Sequence, residues 1–130
     1  MHIREEAKDR HTLTVIVDNE PGILARIAGL FTARGYNIES LTVSEITDDR
    51  AVSRITIVTS ASAHVMEQII AQLDRLVPVH KVTDLTALGP HVERELALVK
   101  VAGTGDHRIE ALRLAEVYRA HVLDATISSF

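Results

Sequence analysis

TLTVIVDNEPGILARIAGLFTARG, residues 12–35, changes its hydrophobic period halfway along. Thr12 to Val17 is a β-branched run of strand length. The polar turn Asp18-Asn19-Glu20-Pro21-Gly22 stops it. From Gly22 to Arg34 the apolar residues Ile23, Leu24, Ile27, Ala28, Leu30 and Phe31 recur at helical spacing, with Arg26 and Arg34 off the stripe. Gly35 stands where a helix end calls for a left-handed residue. Burying four or five of those aliphatics contributes about 1.5–3 kcal/mol each before entropy is counted, so the helix is expected to be held by packing on a sheet.

Downstream, Ile38 to Ile46 reads as a second strand, Thr47-Asp48-Asp49-Arg50 as a hairpin connection, and Ala51 to Thr59 as the returning strand. Alternation puts Ser53, Ile55, Ile57 and Thr59 on one face, Arg54 and Thr56 on the other. Ser62 to Leu76 follows as a second amphipathic helix. Ser62 is its expected N-cap, and Val65, Met66, Ile69, Ile70, Leu73 and Leu76 form its buried stripe. Val77 to Asp84 closes as a fourth strand, and Pro78, lacking a ladder donor, assigns it to a strand start or a sheet edge. The order β-α-β-β-α-β predicts an α+β, ferredoxin-like sandwich over residues 12–85. Its two helices cover one sheet face, leaving the other face and one edge available for dimerisation.

Residues 86–92, beginning Thr86-Ala87-Leu88-Gly89-Pro90, read as a linker. Residues 93–130 then predict a strand at Glu95–Val101, a helix at Asp106–Tyr118 with Ile109, Leu112 and Val117 inward, and a strand at Val122–Ile127. This partial second ferredoxin-like β-α-β segment buries little core by itself. It is expected to be a truncated domain; packing on a partner is the alternative. At the other end, residues 1–11 are expected to be a disordered tail, since MHIREEAKDR alternates charges and resembles neither a signal nor a transit peptide. The expected compartment is cytoplasmic.

Composition narrows the function. Aromatic residues are 3% of the chain, so the core must be aliphatic. A net charge of −4 with no cluster of Lys and Arg argues against nucleic acid. Absence of cysteine removes disulfides, thiolate metal sites and cysteine nucleophiles. No apolar run approaches the roughly 20 residues of a membrane helix.

Chemistry is most readable at residues 18–26. A helix N-terminus offers unpaired N–H groups and partial positive charge, suited to a carboxylate. Gly22 admits a ligand close to the backbone, Pro21 fixes the helix entry without losing a donor, and Asn19 brings both a donor and an acceptor. The same residues serve equally as an ordinary helix start after a Pro-Gly turn. The seven histidines are scattered without metal-ligand spacing. Gly103-Thr104-Gly105 lacks the third glycine and the lysine of a phosphate loop, and Ser128-Ser129 has no nucleophile-elbow context. Glu93-Arg94-Glu95 reads as a solvated charge run that could also meet a partner.

DNEPGILARIAGLF, then RGYNIESLTV, then HVERELALVKV together resemble the small regulatory subunit of acetohydroxyacid (acetolactate) synthase, an ACT-domain family, from about Thr12 to Phe130. The resemblance implies a non-catalytic subunit that activates a catalytic partner condensing 2-oxoacids and confers feedback inhibition by valine or another branched-chain amino acid. Thiamine diphosphate, magnesium and FAD are then expected in that partner, and no cofactor or metal in this chain. It also implies a homodimer through side-by-side ACT domains, with the effector between Asn19, Glu20, Pro21, Gly22 and Ile23 of one copy and Asn37 and Ile38 of the other. By themselves Asn37 could cap a turn and Ile38 could be core. A free-standing ACT sensor for another enzyme and a small enzyme of ferredoxin-like fold are the competing readings.

Overall fold

The computed structural model describes residues 7–130. Its elements are β1 (Asp9–Asp18), α1 (Ile23–Ala33), β2 (Ser40–Glu45), β3 (Val52–Ala61), α2 (Ala63–Asp74), β4 (Val79–Asp84), α3 (Leu85–Leu88) and α4 (Gly105–Val117). The chain divides into two compact units between Val92 and Glu93.

In the first unit the strands form one antiparallel sheet in the order β2-β3-β1-β4, the ferredoxin-like arrangement. Alternation builds the core directly. Leu13, Val15 and Val17 of β1 and Ile55 and Ile57 of β3 are fully buried, against Ile27 and Phe31 of α1 and Met66, Ile69 and Leu73 of α2. Both helices thus lay their apolar stripe on the same sheet face. Ser62 caps α2, its side chain accepting from the Val65 N–H. Gly35, at φ +69°, ends α1 with the double bond of a Schellman motif: its N–H reaches the Thr32 carbonyl, and the Tyr36 N–H reaches that of Phe31. Pro78 lies immediately before β4, and β4 is an edge strand.

Three expectations need correction. The strand β1 begins at Asp9, so Asp9, Arg10 and His11 are not tail. They pair with Ala61, Ser60 and Thr59, and His11 Nδ1 meets Asp84 Oδ2 at 2.7 Å. Charged residues extend a strand readily when a ladder partner is present. Residues 1–6 of the expected tail lie outside the described residues. The expected linker does not begin at Thr86, because Leu85–Leu88 is a helical turn. Asp84 Oδ1 caps it by accepting from Ala87, and the Thr12 N–H donates to Thr86 Oγ1.

The third correction concerns the second unit. Its helix forms nearly as expected, but the strands expected at 95–101 and 122–127 do not. Only an antiparallel bridge joins Ala102 to Ser129, while Val101 and Phe130 exchange both backbone bonds. No described residue of this unit is buried, and the expected inward residues Ile109 and Val117 are exposed. A strand is stable only with ladder partners and a covered apolar face; among the described residues neither is present beyond the bonds at Val101–Gly103.

Candidate functional site

The segment between β1 and α1 is a rigid turn rather than a loose loop. Asp18 N–H donates to the Pro78 carbonyl and Asn19 N–H to that of Ala51, at 2.9 and 2.8 Å. The Asn19 amide nitrogen donates to the Arg50 carbonyl at 2.8 Å. The turn is therefore pinned to the residue that leads into β4 and to the β2–β3 hairpin at once. That hairpin has its own rigidity: Arg50 is left-handed at φ +58°, and the Asp49 carboxylate, lowered in pKa by bonds from Thr47 and the Ala51 N–H, closes it.

Glu20-Pro21-Gly22-Ile23 is a type II turn. The Ile23 N–H donates to the Glu20 carbonyl at 3.3 Å, and Gly22 has φ +82° and ψ −3°, the values required at the third position. No side chain caps α1. The first α-helical bond runs from Arg26 N–H to the Gly22 carbonyl, which leaves the Leu24 and Ala25 N–H groups without a helical acceptor. Open donors with partial positive charge therefore stand beside Asn19, whose Oδ1 has no intrachain donor among the described residues.

Each expected residue can now be placed. Asn19, Glu20, Pro21 and Gly22 are exposed on this turn. The Ile23 side chain is in the core at 7% exposure, so Ile23 reaches the surface through its backbone only; Leu24, at 43%, is the exposed apolar side chain, which periodicity alone assigned to the buried stripe. Asn37 is exposed, with its carbonyl accepting from Thr59 Oγ1 at 2.5 Å, and Ile38 is half-buried against the core. Edge-to-face packing of Phe31 on Tyr36 helps to hold that loop.

The turn and the Asn37–Ile38 step flank opposite ends of α1. Eleven residues of helix separate them by about 16 Å, too far for one small amino acid to touch both within one chain. No hydrogen bond among the described residues joins them. Nor do three or more His, Cys, Asp or Glu residues gather at metal-binding distance among the described residues.

Comparison with known proteins identifies the family. The family described as "AHAS small subunit-like ACT domain" matches residues 13–81, and "Small subunit of acetolactate synthase" matches residues 94–130. The acetolactate synthase isozyme 3 small subunit of Escherichia coli is 48% identical over 121 residues, covering 93% of this chain and 73% of that protein. The Aquifex aeolicus acetolactate synthase small subunit is 46% identical over 129 residues, covering 98% of this chain and 66% of that protein. In structure, the acetolactate synthase small subunit of Thermotoga maritima superposes with a TM-score of 0.73 at 27% identity, over 93% of this chain and 74% of that one. The ACT domain of a Chlorobium tepidum GTP pyrophosphokinase, 13% identical with a TM-score of 0.54 over 68% of this chain and 98% of that one, shares the fold. This chain belongs to the family of acetolactate synthase small subunits.

Proposed function

We propose that this chain is a non-catalytic regulatory subunit that activates the catalytic subunit of acetolactate synthase and makes it sensitive to valine. The observation that carries the reading is the rigid Asn19–Gly22 turn, which offers open N–H donors and a free amide oxygen on one exposed surface. In this reading the Leu24 and Ala25 N–H groups take the effector's carboxylate, with Gly22 allowing close approach. Asn19 Oδ1 and the Asn37 amide of a second copy accept from its ammonium, while Leu24 and Ile38 of the second copy contact the branched side chain. The 16 Å separation along α1 is what requires the second copy.

The sheet provides a means of pairing. β2 is an edge strand, nearly all exposed, without proline or bulge, whereas β4 is preceded by Pro78 and has a register shift opposite Ile16 and Val17. An unprotected edge is a template for another strand. Two copies joined along β2 set the turn of one near the Asn37–Ile38 step of the other. Thiamine diphosphate, magnesium and FAD belong in this reading to the catalytic partner, and the complex works in the cytoplasm. No helix among the described residues is long and apolar enough to cross a membrane. Valine acts only through different affinities for two arrangements of the complex, a coupling of about 1–3 kcal/mol.

Gly22→Asp is the test. A Cβ at Gly22 meets nothing within 4 Å, so the variant has room to fold, and Asp tolerates left-handed backbone better than most residues. Its carboxylate would stand where the effector's carboxylate binds, and like charges repel there. Valine inhibition is expected to disappear while activation of the catalytic subunit persists. Calorimetry that finds unchanged valine affinity in this variant refutes the site.

A further inference from the structure

The sheet face away from α1 and α2 has a charge pattern that the effector site does not use. Strand register sets Ser44, Arg54, Ile16 and Lys81 in one row across β2, β3, β1 and β4. The adjacent row is four threonines, Thr42, Thr56, Thr14 and Thr83. In the next row Val58 and Thr12 are already covered, at 7% and 6% exposure. On the other side of the Arg54 row the face continues to Asp18, whose half-exposed carboxylate is paired with His80 at 2.6 Å. The open part richest in unpaired charge is therefore the threonine row and the row with Arg54 and Lys81. Both cations are exposed, and neither has an ion-pair partner among the described residues. No carboxylate stands in either row, although the chain has 18 acidic residues against 14 Lys and Arg. The two cations are two strand spacings apart, about 10 Å, with the half-buried Ile16 between them.

We propose that this threonine-and-cation face docks a carboxylate-bearing surface of the catalytic subunit. The inference rests on the functional reading above. A second copy fits poorly, because it would offer these cations the same cation-rich rows, and the one carboxylate beside them, Asp18, is already engaged by His80. Two cations on a chain of net charge −4 do not make a nucleic-acid track. Hydroxyls exchange water for protein partners at little net cost, and Ile16 gives a central apolar contact. Four strands by two rows cover roughly 300 Å², well short of the about 800 Å² per partner of a standard interface. The patch is thus one part of a larger contact and governs orientation and association rate more than total affinity.

The test is the full chain with Arg54→Glu and Lys81→Glu together, titrated into the purified catalytic subunit at low and high salt. Association should weaken about tenfold or more at low salt, and the difference should shrink as salt screens the charges. Arg54→Lys with Lys81→Arg should bind as the unaltered chain does, and Arg54→Gln with Lys81→Gln should lose less than the reversal. Valine affinity of the isolated chain should not change. Unchanged association at every salt concentration overturns the proposal, as does loss of self-association, which would assign the face to a second copy. Failure of the unaltered chain to bind the catalytic subunit would overturn the functional reading, and this inference with it.

Discussion

At φ +82° Gly22 occupies backbone space that costs an L-residue about 1–2 kcal/mol, and the Pro-Gly pair sets the type II turn that aims the first helical N–H groups outward. Asn19 and Asn37 divide the remaining work differently. The Asn19 amide nitrogen is engaged by the Arg50 carbonyl, so Asn19 holds the turn to the hairpin besides the effector contact proposed for its oxygen. Asn37 is fixed through its backbone, by the bond from Thr59 Oγ1, and its side chain makes no hydrogen bond among the described residues that Ala would lose. Asn37→Ala is therefore expected to leave fold and dimer intact and to weaken valine binding by about tenfold or more, the worth of a hydrogen bond to a charged group. Calorimetry beside analytical ultracentrifugation checks both halves; a dissociated dimer would make Asn37 a structural residue. The asparagines were legible in the sequence as residue types. Their division of labour was not, because the Arg50 carbonyl lies 31 residues downstream and no local pattern points to it.

Elements were legible where periodicity and punctuation agreed. The change of period at Gly22, the cap at Ser62 and the proline at 78 each placed a boundary within a residue or two. Polar and small residues at strand ends escape the pattern: Asp9–His11 belongs to β1 and Ser60–Ala61 to β3, because ladder pairing decides there and periodicity does not. The element with most bearing on function is β2. Its Val43 is 48% exposed at the sheet edge, and the adjoining Ile46 is 41% exposed. A lysine on an edge strand opposes pairing with a second strand by charge and by its hydration. Val43→Lys should cost the fold little, since exposed substitutions are usually within about 0.5 kcal/mol. Ultracentrifugation should show a monomer in place of the dimer proposed for the unaltered chain, and valine binding should fall with it. A variant that stays dimeric and binds valine normally would remove β2 from the interface.

At the scale of the whole molecule the two units differ in what holds them. The first has fully buried Leu13, Val15, Val17, Ile55 and Ile57 locked between a four-stranded ladder and two helices. In the second, Leu96, Leu98, Val99, Leu123 and Ile127 are all more than 70% exposed, and the regular bonding is that of α4 and of the single bridge between Ala102 and Ser129 with the backbone bonds beside it. Sequence pattern could identify the strand-like runs at 95–101 and 122–127 but not whether anything covers them, since alternation describes a face and not its partner. Local opening free energy follows buried apolar contact and ladder bonding. Amide hydrogen exchange on the isolated chain should thus give two classes. The β1 and β3 amides should exchange only through global unfolding of the first unit, whereas those of residues 94–100 and 121–125 should exchange almost as in an unstructured peptide, with α4 between. Adding the catalytic subunit then becomes informative: strong new protection at 95–101 would mean that the partner covers that run. Slow exchange there in the isolated chain would contradict the exposed backbone described here.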